Sequence, residues 1–274
     1  MDLKFLSYII DEINNCEAFS KSFNNYNNKL KKYDLTLIIN EIYYILKTGL
    51  SWRDYRGPIN YNTLFYYNNK LAKKRIFEKA YIKLLNDYYK TNKQSKIKYQ
   101  LIDTTFIRNK LGSENISLNK FYRNKKCSKI SLLTDELGIP LSIIYDKGSK
   151  ADISFTKENI NKTLIKINTK KYMNNNKFKQ YLLADKGYTS KQLKDDLSKE
   201  GYTIIVPPKK NSKNIFQIED KIIYKKRMKI EQIFSRLKQF RRIDTRYERK
   251  TINYISFIYA SLIKIVSNII KANH

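Results

Sequence analysis

Three acidic side chains stand where a carboxylate is either costly or useful. Asp103 interrupts the apolar run Tyr99-Gln100-Leu101-Ile102, and a charge inside such a strand is expensive unless it is paired or binds a cation. Asp185 follows Tyr181-Leu182-Leu183-Ala184 and precedes Lys186-Gly187-Tyr188. It therefore ends a predicted strand, the position from which open α/β sheets present ligands. Two such acids facing one another repel unless a divalent cation lies between them, and hard oxygen donors suit Mg²⁺ or Mn²⁺. Glu231 belongs to a helical segment. At about 100° per residue, Tyr224, Arg227, Glu231 and Lys238 share one stripe, which Arg242 joins. Ile230, Ile233, Phe234, Leu237 and Phe240 form the adjoining apolar face, so the helix can pack on a sheet with Glu231 turned towards the strand acids. Cations around such an acid make sense if phosphates are held there as well. Taken singly, strand-end capping or a salt bridge accounts for either aspartate, and a Lys-rich surface accounts for Glu231.

The scarce residues exclude other chemistries. The one histidine is His274, which leaves no material for Cys₂His₂ or HExxH zinc sites or for Ser-His-Asp triads. No glycine precedes a lysine and no two glycines lie two apart, so the Walker A and GxGxxG phosphate loops are absent and no nucleotide cofactor is expected. Cys16 and Cys127 form neither a CxxC pair nor a disulfide framework, which fits a reducing compartment. The start Met1-Asp2-Leu3-Lys4-Phe5-Leu6 lacks a secretory pattern, so the chain is expected inside the cell. Residues 254–270 contain Lys264, Asn268 and three serines. They read as a buried C-terminal helix, not as a span, and no membrane partner is expected.

The 274 residues carry a formal net charge of +30, from 55 basic and 25 acidic side chains. That balance favours densely anionic partners, nucleic acid first. Residues 1–96 hold 17 basic and 9 acidic side chains, leaving 38 and 16 for residues 97–274.

The acids need elements to position them, and the hydrophobic period supplies these. Residues 1–96 read as helical, with Leu35, Ile38, Ile39, Ile42, Ile45 and Leu46 spaced by three and four and a second periodic stretch over 62–89. The break at 49–58 holds Trp52. Two helices around a turn allow a helix-turn-helix-like DNA reader, with Lys70, Lys73, Lys74 and Arg75 on the second; an ordinary bundle with a solvated Lys face is the other reading. From residue 97 the period becomes that of strands, predicted at 98–107, 130–134, 139–145, 180–184 and 202–206. Helices are predicted at 154–168, 190–199 and 221–242, and Asp135-Glu136-Leu137-Gly138 turns a hairpin. An antiparallel hairpin leading into parallel crossovers is the ribonuclease H-like succession. The expected fold is thus α/β (α+β): a mixed sheet flanked by helices over 97–274, preceded by a small all-helical DNA-binding region over 1–96. The basic link 109–129, with Lys110, Lys120, Arg123, Lys125, Lys126 and Lys129, lines a DNA groove or is a solvated loop.

Together these segments resemble the insertion-sequence transposases of the DDE type. Tyr224, Arg227, Glu231 and Lys238 reproduce the Y-x₂-R-x₃-E-x₆-K signature of that family, and the blocks around Asp103 and Asp185 look like those around its two aspartates. Gly49-Leu50-Ser51-Trp52-Arg53-Asp54, Leu137-Gly138-Ile139-Pro140-Leu141 and Ala151-Asp152 resemble further family blocks, in order. The resemblance implies Asp103, Asp185 and Glu231 as catalytic residues binding two divalent ions, Mg²⁺ or Mn²⁺, in an enzyme that cleaves the terminal inverted repeats of its own element. The freed 3′ hydroxyls are then joined to target DNA. Tyr224, Arg227 and Lys238 would hold DNA phosphates, with Arg242, Lys186, Tyr188, Arg123, Lys125 and Lys126 as further DNA contacts. Pairing of two ends implies at least a homodimer during reaction. A domesticated DNA-binding protein without catalysis and a stand-alone RNase H-like nuclease are the alternatives. Glu231 lies only 46 positions after Asp185, which leaves no room for the large β insertion of some relatives.

Overall fold

The structure is a computed structural model that describes residues 3–17, 19, 34–91, 97–165, 180–208 and 216–273. Helices open the chain because apolar residues recur at helical spacing. Helix α1 (Leu3–Asn14) buries Phe5, Leu6, Ile9 and Ile13, and α2 (Leu35–Thr48) buries Ile38, Ile39, Ile42, Ile45 and Leu46. Gly49 stops α2: at φ +76° it donates its N–H to the Ile45 carbonyl, a left-handed cap that glycine adopts without strain. Helix α3 (Tyr61–Lys73) starts where the Asn60 side chain accepts from the Asn62 N–H. The second periodic stretch is split, because Arg75 takes a left-handed φ of 54° and α4 (Ile76–Thr91) begins after it.

The sheet follows. It comprises β1 (Tyr99–Asn109), β2 (Ser117–Asn119), β3 (Lys125–Asp135) and β4 (Pro140–Lys147), then β5 (Gln180–Leu183) and β6 (Tyr202–Ile205) with the short helices α5 (Phe155–Asn161) and α6 (Lys191–Lys199) interspersed. The hydrogen-bonded order is β2-β3-β1-β5-β6, with β4 also on β3. The β3–β4 hairpin is antiparallel, pairing Ile130 with Tyr145 and Leu132 with Ile143, whereas β1–β5 and β5–β6 are parallel. Hairpin-then-crossover order therefore matches the expectation. Strand β3 begins five residues before the predicted one, so Lys125 and Lys126 lie in a strand and not in a link. The helix predicted over 154–168 ends at Asn161; residues 166–168, like the Asn-rich patches 24–28 and 174–176, lie outside the described residues.

The helix predicted over 221–242 is three pieces. Helix α7 (Ile218–Tyr224) tightens into a 3₁₀ turn over Lys225–Arg227, α8 (Met228–Lys238) follows, and α9 (Arg241–Asp244) starts afresh after an extended Phe240. The interruption is favourable because it lets Arg242 and Ile243 turn inward. A two-residue strand, β7 (Thr245–Arg246), pairs in parallel with the end of β1, and α10 (Thr251–Ala272) closes the order. Helix α10 is apolar and long enough to cross a membrane, yet fourteen of its residues are buried, and it packs on α1, α3 and α9.

Contacts group the residues differently from a single cut at residue 96. One unit is Met1–Tyr88, Ile107–Asn115 and Arg236–His274; the other is Tyr89–Phe106 and Ile116–Ser235. The first is a helical assembly around α10. In the second, Ile102, Leu133, Leu182, Ala184, Tyr188, Leu193, Leu197 and Tyr202 form a core between the sheet and α6. That core fixes the strand positions of Asp103 and Asp185.

Candidate active site

All three acids belong to the sheet-containing unit. Asp103 sits in β1 directly after the fully buried Ile102, and its side chain is only 18% exposed. Its Oδ1 accepts from the Thr104 N–H at 2.9 Å and its Oδ2 from Arg227 Nη2 at 2.6 Å. Burial raises the Asp103 pKa to about 6; Arg227 and the Thr104 N–H oppose this, while Asp185 and Glu231 add to it through their charge. Asp185 follows β5, and its Oδ1 accepts from the Gly187 N–H at 2.7 Å, capping a 3₁₀ turn over Lys186–Tyr188. Glu231 projects from the first turn of α8 and is 59% exposed, accepting from Arg227 Nη1 at 2.9 Å. Arg227 therefore bridges the first and third acids while itself only 12% exposed. Tyr224, one turn earlier, is half-buried, and burial raises its phenol pKa while the neighbouring Arg227 lowers it.

The sequence stripe is thus partly preserved. Tyr224, Arg227 and Glu231 share one region, because the 3₁₀ turn at 225–227 keeps the near-helical rotation going. Lys238 is the last residue of α8, grouped with the helical unit; it is half-buried, and burial followed by the charge of Arg108 lowers its ammonium pKa.

Arg242 leaves the stripe. It is buried, donating to Glu248 Oε1 at 2.5 Å and the Leu50 carbonyl at 2.6 Å, with Trp52 and Tyr247 rings nearby. The break after α8 turns it inward, so it cannot serve as the phosphate contact expected of it. Tyr188 is corrected likewise: it is 1% exposed within the core, and its hydroxyl has no hydrogen-bond partner among the described residues. Lys186, Arg123, Lys125 and Lys126 are exposed and free to meet an anion. Lys129 is not; its buried Nζ donates to Asp152 Oδ1 at 2.7 Å and to the Lys150 carbonyl at 2.8 Å.

Asp152 is the residue whose role sequence reasoning missed. Its Oδ1 also accepts from Thr104 Oγ1 at 2.7 Å, the residue next to Asp103. Lys129 and Asp152 thereby brace β1 at the first acid. A lysine directly before the Ile130 to Leu133 part of β3 was the available signal, since a buried ammonium demands a carboxylate. Asp135 is the contrasting case. Burial also raises its pKa to about 6, but the Leu137 and Ile139 N–H groups and the Tyr89 hydroxyl all donate to it, so it is occupied in holding the hairpin turn.

Among the described residues no three His, Cys, Asp or Glu side chains converge on one point as an ion's ligands would. The donor chemistry nonetheless suits a hard cation: all three groups are carboxylates, and Asp103 and Glu231 already share one positive charge, the Arg227 guanidinium.

The sequence pattern of the transposase DDE domain matches residues 94–263. No curated protein matches the chain. Among solved structures, the piggyBac transposase in its synaptic complex with hairpin DNA is similar over 98% of this chain and 75% of its own, at 10% identity and a TM-score of 0.56. The catalytic domain of the Mos1 mariner transposase aligns over 69% of this chain and 90% of its own, at 10% identity and a TM-score of 0.29. A Mos1 paired-end complex with Mn aligns over 69% and 60%, at 12% identity and a TM-score of 0.28. The piggyBac likeness is one of fold, a mixed sheet flanked by helices.

Proposed function

The chain belongs to the DDE transposase family, and from that premise we propose that it cleaves the terminal inverted repeats of its own element and joins the freed 3′ hydroxyls to target DNA. The observation that carries the reading is the bridge Asp103–Arg227–Glu231, with Asp185 within electrostatic reach of Asp103. Carboxylates from a strand and a helix share one guanidinium, and the charge of a third, at a strand end, is felt at the first, so negative charge is gathered beside a buried strand acid.

Asp103, Asp185 and Glu231 are the residues that would hold divalent ions, Mg²⁺ or Mn²⁺, as a pair. When bound, such ions ready a water or 3′ hydroxyl for attack and stabilise charge on the leaving oxygen. Arg227 offsets the repulsion between Asp103 and Glu231 and can move its guanidinium to a phosphate, for which its planar fork is suited. Tyr224 and Lys238 contribute a hydroxyl and an ammonium from the same signature. Lys186, Arg123, Lys125 and Lys126 neutralise DNA phosphates, which makes binding steeply salt-dependent. Helices α2 and α3 with the turn between them read DNA in the major groove. Two ends held together require two copies of the chain at least, and the work takes place inside the cell, where the host DNA is.

The test uses the inverted repeats flanking the gene as labelled ends, incubated with the protein and Mg²⁺ or Mn²⁺. Metal-dependent cuts at the repeat boundary, absent from Asp103→Asn, are expected. Binding without cutting by both proteins would instead identify a DNA-binding protein without catalysis, and equally fast cutting of unrelated DNA would identify a general nuclease.

A further inference from the structure

Phe121 is 92% exposed, more than any other large apolar side chain among the described residues. It does not hang on a slack loop. The buried Asn119 at the end of β2 accepts on its Oδ1 from the Phe121 N–H at 2.7 Å and the Tyr122 N–H at 3.2 Å, while its Nδ2 donates to the Gly148 carbonyl at 2.6 Å. Gly148 can sit so close because a Cβ there would lie 2.3 Å from Cys127 Sγ. Tyr122 stacks on Phe106 with centroids 5.3 Å apart and planes 27° from parallel, and the Lys129 ammonium lies 4.8 Å from the centroid of the Phe106 ring. Phe106 is three residues beyond Asp103 on β1, so the turn carrying Phe121 is fastened to the strand of the first acid. Arg123 and Asn124 complete the turn at φ 52° and 54°, left-handed values unusual for residues with a Cβ.

Every cation of this turn points to water. Lys120, Arg123, Lys125 and Lys126, all within five residues of Phe121 in the chain, are exposed. A bare aromatic ring on a turn this rich in exposed cations is poorly suited to a protein partner, since interface cores are depleted in lysine. It is especially poor for a second copy of a chain with net charge +30. It is well suited to nucleic acid, whose phosphates take the cations and whose bases offer a flat face to the ring.

We propose that Phe121 is a stacking platform for an unpaired or unstacked DNA base, with Lys120, Arg123, Lys125 and Lys126 on the flanking phosphates; this rests on the DNA-processing function proposed above. The backbone that carries the ring is fixed in advance by the Asn119 side chain, so stacking has only the ring itself left to order. Every base has a π-face, so the contact selects for unpaired bases and not for sequence.

The test compares two probes with the full chain, a blunt duplex and the same duplex with a short 3′ single-stranded tail bearing 2-aminopurine. Wild type should bind both and quench the 2-aminopurine. Phe121→Ala should abolish the quenching and weaken binding of the tailed probe roughly tenfold, while its affinity for the blunt duplex changes less than about twofold. Phe121→Trp should restore the quenching. An unchanged thermal melt for Phe121→Ala is expected from its exposure. Quenching retained in Phe121→Ala, or an equal loss on both probes, would overturn the stacking role while leaving the DNA reading intact. Failure of wild type to bind either probe would overturn the DNA reading and this inference with it. A change in self-association on Phe121→Ala would overturn it in favour of a second copy.

Discussion

Arg227 and Arg242 were placed on one stripe by helical spacing, yet they end in opposite settings. In the sheet-containing unit, Arg227 bridges two carboxylates, and one of them, Glu231, is 59% exposed and so open to exchange with solvent, cation or phosphate. In the helical unit, Arg242 and Glu248 are both 4% exposed, and the guanidinium also holds the Leu50 carbonyl across 192 residues of sequence. Neighbouring Arg246 is fully buried and spent on the carbonyls of Glu114, Glu248 and Arg249. The same residue type is thus a clasp in one unit and a replaceable counter-ion in the other. What separates the roles is solvent access to the partner, because a sealed pair cannot be traded without stranding a charge.

The sharpest way to break this comparison is at the acids. Asp103→Asn or Glu231→Gln should lower strand cleavage by about 1,000-fold or more, as loss of transition-state charge stabilisation does, while binding of repeat ends, measured by gel shift, stays within a few-fold. Cleavage that survives either change would remove Arg227's partners from the catalytic centre.

Next in size is the clasp. Arg242→Met should destabilise the protein by about 3–5 kcal/mol, since Glu248 is left buried and unpaired, and the double change Arg242→Met with Glu248→Leu should recover most of the loss. Denaturant unfolding of the two variants measures this. A single variant as stable as wild type would mean that the two arginines do not differ in kind.

A smaller, pH-dependent effect distinguishes the acids from the clasp. Asp103 has its folded pKa at about 6, above the ordinary 3.8, mainly through burial. The folded state therefore binds its proton more readily. The stability this contributes is complete below about pH 4 and is lost as pH rises through 6. Asp103→Asn in the presence of a chelator should consequently stabilise the protein at pH 8, by on the order of 2 kcal/mol, and give no gain at pH 4. Equal effects at both pH values would show that Arg227 fully compensates the charge.

The smallest expected change concerns the exposed cations. Replacing Lys125 and Lys126 together by Ala should flatten the dependence of log binding constant on log salt by roughly 1 to 2, whereas Arg242→Met should leave that slope alone.

Much of the site was legible because it is local. Asp103 and Asp185 stand at strand positions that period-two patterning and a following glycine reveal, and Arg227 and Glu231 are four residues apart on a near-continuous helical path. The hairpin was legible in Asp135-Glu136-Leu137-Gly138, whose Gly138 takes φ +87°. Arg242 and Tyr188 were misplaced because helical angle and strand-end position say which way a side chain leaves the backbone and not what it meets. The break at Gln239–Phe240 follows from burial of Ile243 and the Arg242–Glu248 pair, neither of which has a signature inside the helix itself.

By itself, then, the sequence determined the order of the longer strands and helices, the positions of the three acids on them and the chemistry their oxygens allow, since all of these depend on residue type and on spacing within a few turns or one strand. Tertiary structure alone decided that the end of β1 and the segment from Arg236 onwards group with the N-terminal helices. It also decided that Lys129 and Asp152 brace the first acid, that Arg242 is sealed, and that Phe121 is left bare. Each of these turns on which distant groups exclude water from a side chain, and that is a property of packing between segments far apart in the chain.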